Sequence, residues 1–154
     1  MVVGGFWAVK AGRQSVEMAH VEWRKGRTLL DRLRDLHRHY GMYREALVSL
    51  KREGIKGAEE IREMMSGFRT NPPASLGGEA IAEVRDHLEG WNGMPPSNVV
   101  QFLTSEGALV TARPSGTEPK IKLYMFAYEP PEQIANLERT KDQLVERLDQ
   151  IEAE

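Results

Sequence analysis

The sequence predicts an α+β domain in which a small antiparallel sheet is covered by helices. Three observations lead there. Apolar residues recur at helical spacing in the first half and again at the C-terminal end, β-rich runs gather between residues 80 and 128, and Ser105-Glu106-Gly107 joins two of those runs at hairpin distance.

The elements follow in order. Residues 14–25 read as a helix with Val16, Ala19, His20 and Trp23 on one stripe, ended by Gly26. Thr28 offers an N-cap hydroxyl to a second helix, whose Leu29, Leu30, Leu33, Leu36 and Tyr40 recur until Gly41 supplies a stop. Residues 43–52 alternate, with Ala46, Val48 and Leu50 toward one side, and predict a half-buried strand. Ala58, Ile61, Met64, Met65 and Phe68 trace a third helix that Asn71-Pro72-Pro73 cannot continue. Beyond Gly77-Gly78, residues 80–84 predict a strand that fades toward Gly90, and 91–96 read as loop. Residues 99–104 and 108–113 predict a hairpin. Residues 121–128 predict the last strand, where Tyr124, Phe126 and Tyr128 share a face expected to pack under a helix. After Pro130-Pro131, the apolar positions Ile134, Leu137, Leu144, Leu148 and Ile151 mark a final amphipathic helix.

At 154 residues, 40% apolar and 29% charged, the chain has the composition of a folded domain. It has no cysteine, which excludes disulfides, thiolate metal sites and a thiol nucleophile, and an intracellular home fits. The opening run lacks a basic cluster and is broken by Gly4, Gly5 and Lys10, so neither a signal peptide nor a membrane span is expected. Charge is uneven: residues 1–56 hold 12 Lys/Arg against 6 Asp/Glu, and 57–154 hold 9 against 17. The basic third mixes both signs along helical faces, as solvated surfaces do, so nucleic acid is not the expected partner. His20, His37, His39 and His87 do not suggest a metal site, since His37 and His39 lie two apart on a helix and point to different sides.

One segment differs from the rest. Arg113-Pro114-Ser115-Gly116-Thr117-Glu118-Pro119-Lys120-Ile121-Lys122 concentrates anion-binding groups between two predicted strands. Arg113 offers a planar fork to a phosphate, Ser115 and Thr117 add hydroxyls, and Gly116 lets a backbone N–H approach an oxygen closely. The prolines stiffen the turn, so less entropy is lost on gripping an anion. Lys122 falls opposite Ile121 and Leu123 in the alternation, away from the core, and Lys120 shares its face. The same residue types are ordinary turn formers, and their chemistry alone leaves a plain turn open.

This loop resembles the phosphate-binding loop in the C-terminal domain of the phosphohexomutases, the family of phosphoglucomutase, phosphomannomutase and phosphoglucosamine mutase. The likeness runs over about residues 14–152, including 28–43, Asn71-Pro72-Pro73 and Pro96-Ser97-Asn98-Val99-Val100, and is greatest to the bacterial phosphoglucomutase and phosphomannomutase branch. It implies a fold like that of the TATA-box-binding protein, with residues 28–154 as the phosphate-binding domain. Residues 1–27 would form an N-terminal extension, the end of the preceding domain's last helix, although residues 1–12 depart from the family pattern. It also implies that Arg113, Ser115, Gly116 and Thr117 hold the substrate phosphate and that Lys122 assists.

The resemblance further implies a cytoplasmic enzyme that interconverts hexose 1-phosphate and hexose 6-phosphate through a bisphosphate. The family's phosphoserine loop, aspartate-rich magnesium loop and sugar-specificity loop have no counterpart in this sequence: there is no Ser-His-Asn-Pro, no Asp-Gly-Asp cluster and no Gly-Glu-x-Ser-Gly stretch. No catalytic residue and no metal ligand is therefore expected here. Magnesium is expected in the full-length enzyme, the isolated chain is expected to be inactive, and its partners should be a phosphosugar and the remaining domains. A non-catalytic anion-binding or nucleic-acid-binding module is the alternative.

Overall fold

The computed structural model describes residues 3–153. Met1 and Val2, the start of the segment that departs from the family pattern, lie outside them. Along the chain run α1 (Val3–Arg24), α2 (Leu29–Tyr40), β1 (Met42–Lys51), α3 (Gly54–Thr70), β2 (Ser75–Leu76), β3 (Glu79–Asp86), β4 (Val100–Thr104), β5 (Leu109–Pro114), β6 (Lys120–Glu129), a 3₁₀ turn (Pro131–Gln133) and α4 (Leu137–Glu152).

Local chemistry sets most boundaries. The Thr28 hydroxyl accepts from the Asp31 N–H at 3.1 Å while the Asp31 carboxylate accepts from the Thr28 N–H at 2.9 Å, a reciprocal cap that starts α2. α1 begins at Val3, well before residue 14. Gly4, Gly5 and Gly12 weaken a helix by about 1 kcal/mol each, but no proline interrupts the run. Between α1 and α2 the carboxylate of Glu22 is buried; Arg27 Nε stands 2.9 Å from its Oε2, off the hydrogen-bonding line, and Arg27 also pairs with Asp35. Ile134 is not part of the last helix. It follows the 3₁₀ turn, and Asn136 opens α4 by accepting from the Arg139 N–H at 3.0 Å.

All six strands pair antiparallel in the order β1-β6-β5-β4-β3-β2, so the first strand in sequence lies beside the last. β1 and β6 match over their full length, from Met42↔Glu129 to Lys51↔Lys120. One face carries the core. Val100, Phe102, Val110, Ala112, Ile121, Met125 and Ala127 are buried against Ile61 and Met65 of α3 and Leu144, Leu148 and Ile151 of α4. Each of the larger side chains, the two alanines aside, contributes about 1.5–3 kcal/mol.

The other face is bare, which corrects the expectation for the aromatic stripe. Tyr43, Leu47 and Phe126 remain 58%, 54% and 37% exposed, and Tyr124 and Tyr128 are half-buried. Both α3 and α4 follow the apolar side of β6, Ile121, Leu123, Met125 and Ala127, which is the opposite side of the same strand. Tyr128 finds other partners: its ring lies 4.4 Å from that of Tyr43, and its hydroxyl donates to the Tyr40 carbonyl at 3.2 Å.

A charged network ties α4 to the far strands. Arg147 grips Glu79 through both Nε and a terminal nitrogen, Glu79 accepts from the Thr104 hydroxyl at 2.5 Å, and Thr104 Oγ1 accepts from the Ala108 N–H at 2.9 Å. Burial pushes the Glu79 carboxyl up, but the hydrogen bonds from Arg147 and Thr104 outweigh it and hold the group below the usual carboxylate range. A carboxyl depressed on folding stabilises the fold above its unfolded value and loses that contribution as pH falls through the folded one. With the Glu79 side chain only 12% exposed, Glu79→Gln is expected to cost about 2 kcal/mol at neutral pH. In urea unfolding, the gap between parent and variant should close below the ordinary carboxylate range; an equal gap at every pH would refute the ionic role.

Candidate functional site

β5 ends at Pro114 and β6 begins at Lys120, so the distinctive loop is the turn of a hairpin. The Ser115 N–H donates to the Lys120 carbonyl and the Lys120 N–H to the Glu118 carbonyl, both at 2.8 Å. The Arg52 N–H, from the β1–α3 connection, donates to the Pro119 carbonyl at 2.8 Å and holds the turn from outside. Within the turn, Ser115 Oγ accepts weakly from the Thr117 N–H at 3.4 Å, which leaves the serine proton free to donate. The Gly116 N–H has no partner among the described residues, and the space a β-carbon would occupy there holds no atom within 4 Å.

Charge is concentrated beside this turn. Arg113 and Lys122 are direct cross-strand partners, as are Lys51 and Lys120. Facing like charges destabilise a sheet. Lys120 is compensated by Glu118 at 2.5 Å, whereas neither Arg113 nor Lys122 forms an ion pair among the described residues. The Glu118 carboxyl is held below the usual carboxylate range, first by its hydrogen bond from Lys120 and then by the charges of Lys120, Lys51 and Lys122. The local field thus favours an anion.

Arg113, Pro114, Ser115, Gly116, Lys122 and Tyr124 line a cavity of about 180 Å³. Four of the five residues singled out from the sequence, Arg113, Ser115, Gly116 and Lys122, meet there. Thr117 does not. It lines a neighbouring cavity of about 380 Å³ against α3, with Ala58, Ile61, Arg62 and Asn98, and Ser115 and Gly116 border both. Sequence reasoning left out Tyr124; the available signal was its place two residues after Lys122 on the same side of β6. A larger cavity of about 620 Å³ at the other end of the sheet is lined by Glu79, Glu106 and Glu129 with one cation, Arg147, that Glu79 already pairs, so its net charge disfavours an anion.

Among the described residues no group of three or more His, Asp or Glu side chains could hold a metal ion, and no helix is long and apolar enough to cross a membrane. His87 is buried. Its Nε2–H donates to Gln101 Oε1 at 3.0 Å, and Gln101 Nε2 donates to the Thr111 hydroxyl at 3.1 Å.

The chain is similar to known proteins over most of this region. The profile of the family described as phosphoglucomutase/phosphomannomutase, C-terminal domain, matches residues 68–147, just over half the chain. A phosphoglucomutase of Staphylococcus aureus (strain MRSA252) is 36% identical over 111 residues, which are 65% of this chain and 20% of that protein. The phosphoglucomutase of strain USA300 is 37% identical over 111 residues, with the same coverage. The chain therefore spans about a fifth of the length of these relatives. A crystal structure of the phosphoprotein pp63/parafusin from Paramecium, in an open form, aligns with a TM-score of 0.46 at 17% identity, over 80% of this chain and 23% of that one. With the profile covering β3 through most of α4 and the hairpin loop inside it, the chain belongs to the phosphoglucomutase/phosphomannomutase C-terminal domain family.

Proposed function

We propose that this chain is the phosphate clamp of a phosphohexomutase, the part that grips one phosphate of a sugar while the chemistry occurs on other domains. The observation that carries the reading is the uncompensated Arg113–Lys122 pair beside a turn with unspent N–H and hydroxyl donors. A bound dianion would relieve the facing charges and satisfy those donors at once. Arg113 anchors through its fork, Lys122 adds charge from the adjacent strand, Ser115 and Gly116 donate from the turn, and Thr117 closes from the α3 side.

Gripping the phosphate remote from the reacting oxygen spends binding energy on placing the sugar, which favours the step that transfers phosphate between the 1 and 6 positions. Residues 28–154 form the clamp, and 1–27 join it to the preceding domain. No cluster among the described residues fits the magnesium that the family implies, so no step here passes through the ion. The enzyme works in the cytoplasm, and the chain by itself turns over no substrate.

The test is a titration of the 154-residue chain with a hexose bisphosphate, following backbone amide resonances. Saturable shifts at Ser115, Gly116 and Thr117 are expected. Shifts spread evenly over the surface would refute a built site. A second reading, a nucleic-acid binder, rests on the exposed Tyr43 and Phe126 of the bare sheet face, since RNA-reading sheets present aromatic rings. A short oligonucleotide that shifts those residues, with the loop unmoved by bisphosphate, would favour it.

A further inference from the structure

Tyr124 borders the same cavity as Arg113, Ser115, Gly116 and Lys122. It sits on the same side of β6 as Lys122, one place further from the turn, with Thr111 of β5 and Leu47 of β1 as its cross-strand neighbours. Buried tyrosines usually place their hydroxyl on a partner. Tyr128, four residues on along the same face, does so with the Tyr40 carbonyl. The Tyr124 hydroxyl has no hydrogen-bond partner among the described residues, and the residue lines a cavity that Arg113 and Lys122 make cationic.

Its cross-strand neighbour Thr111 already has a partner. Thr111 receives a hydrogen bond from Gln101, which in turn receives one from the buried His87. That ladder crosses the bare face of the sheet and occupies a lone pair of the threonine oxygen, so its own proton points elsewhere.

We propose that Tyr124 is a phosphate-binding residue of the clamp, its phenol donating to the anion held by Arg113 and Lys122. The inference rests on the clamp reading and adds a neutral donor to it. Two cations alone hold any dianion by charge. A phenol fixed on the strand gives the pocket a directional contact that does not weaken as salt screens the charges.

The probe is inorganic phosphate, added to the 154-residue chain with amide resonances and the Tyr124 ring ¹³Cζ followed together. In the parent chain, the loop amides and the Tyr124 ¹³Cζ should move with one dissociation constant. Tyr124→Phe removes only the oxygen and should weaken binding about tenfold, the loss expected for a hydrogen bond to a charged group. Tyr128→Phe, on the same face but bonded to Tyr40, should leave affinity unchanged. If the loop amides titrate while Tyr124 ¹³Cζ stays still, or Tyr124→Phe binds as the parent does, the tyrosine is no ligand and the clamp stands. If neither loop nor ring responds to phosphate, both readings fall. The ring resonance of the parent chain decides the question even if the variant does not fold.

Discussion

Replacing Arg113 with alanine in an intact phosphohexomutase carrying this domain is expected to lower kcat/KM by about 10- to 100-fold, mostly through a raised KM. The magnitude follows from losing a charge-assisted, two-pronged contact worth about 1.5–3 kcal/mol. Arg113 is exposed, makes no ion pair among the described residues and faces Lys122 across the hairpin, so its removal should leave the fold intact. Stability could even rise slightly, because a like-charge neighbour disappears. Arg113→Lys should recover only part of the loss, since an ammonium keeps the charge and gives up the fork. Steady-state kinetics over a range of substrate phosphate concentrations checks this, and unchanged KM and kcat would remove Arg113 from the site. If kcat falls as well, the grip tightens in the transition state.

The largest expected effect on stability belongs to Gly41→Ala. Gly41 joins α2 to β1 at φ 90° and ψ 170°, a conformation that is essentially confined to glycine. An added β-carbon would stand 2.4 Å from a ring carbon of Tyr128 and 2.6 Å from the Glu129 carbonyl oxygen. The ring can rotate away; the carbonyl belongs to the β1–β6 ladder at the Met42↔Glu129 pair and has no such freedom. Backbone strain and the clash together should cost about 3 kcal/mol or more. Urea unfolding should show an early midpoint, and the Tyr128 hydroxyl contact to Tyr40, which pins the end of α2 to the sheet, should be lost with it. A variant within about 0.5 kcal/mol of the parent, the range of ordinary surface changes, would show that this junction rearranges freely.

Much of this fold was legible residue by residue because its signals are local. Thr28 and Asp31 cap a helix through groups three positions apart, and Gly107 marks its hairpin within three residues. The alternation in β1 and β6 places Ala46, Val48 and Leu50 with Ile121, Leu123 and Met125 without reference to the rest of the chain. Where the signal was not local, reading failed. Ile134 continues the helical stripe of α4 in sequence, yet the Asn136 cap starts that helix three residues later. β2 is too short for any periodicity. The aromatic side of β6 is as apolar as many covered faces, and nothing in its own residues says which side α3 and α4 will take.

The sequence by itself determined the α+β class, most of the element order and the position of a loop rich in anion-binding residue types, because each is written in neighbouring residues and their spacing. Only the tertiary structure decided that Lys122 stands directly across from Arg113, that Thr117 opens onto the α3 side, and that Tyr124 joins the cavity wall. Those relations depend on strand register and on which face the helices cover. Both are settled by burying Ile121, Met125 and Ala127 together with residues far away in the chain, and that collective fit leaves open the opposite face, which carries the aromatic side chains and, at one end, Arg113 and Lys122.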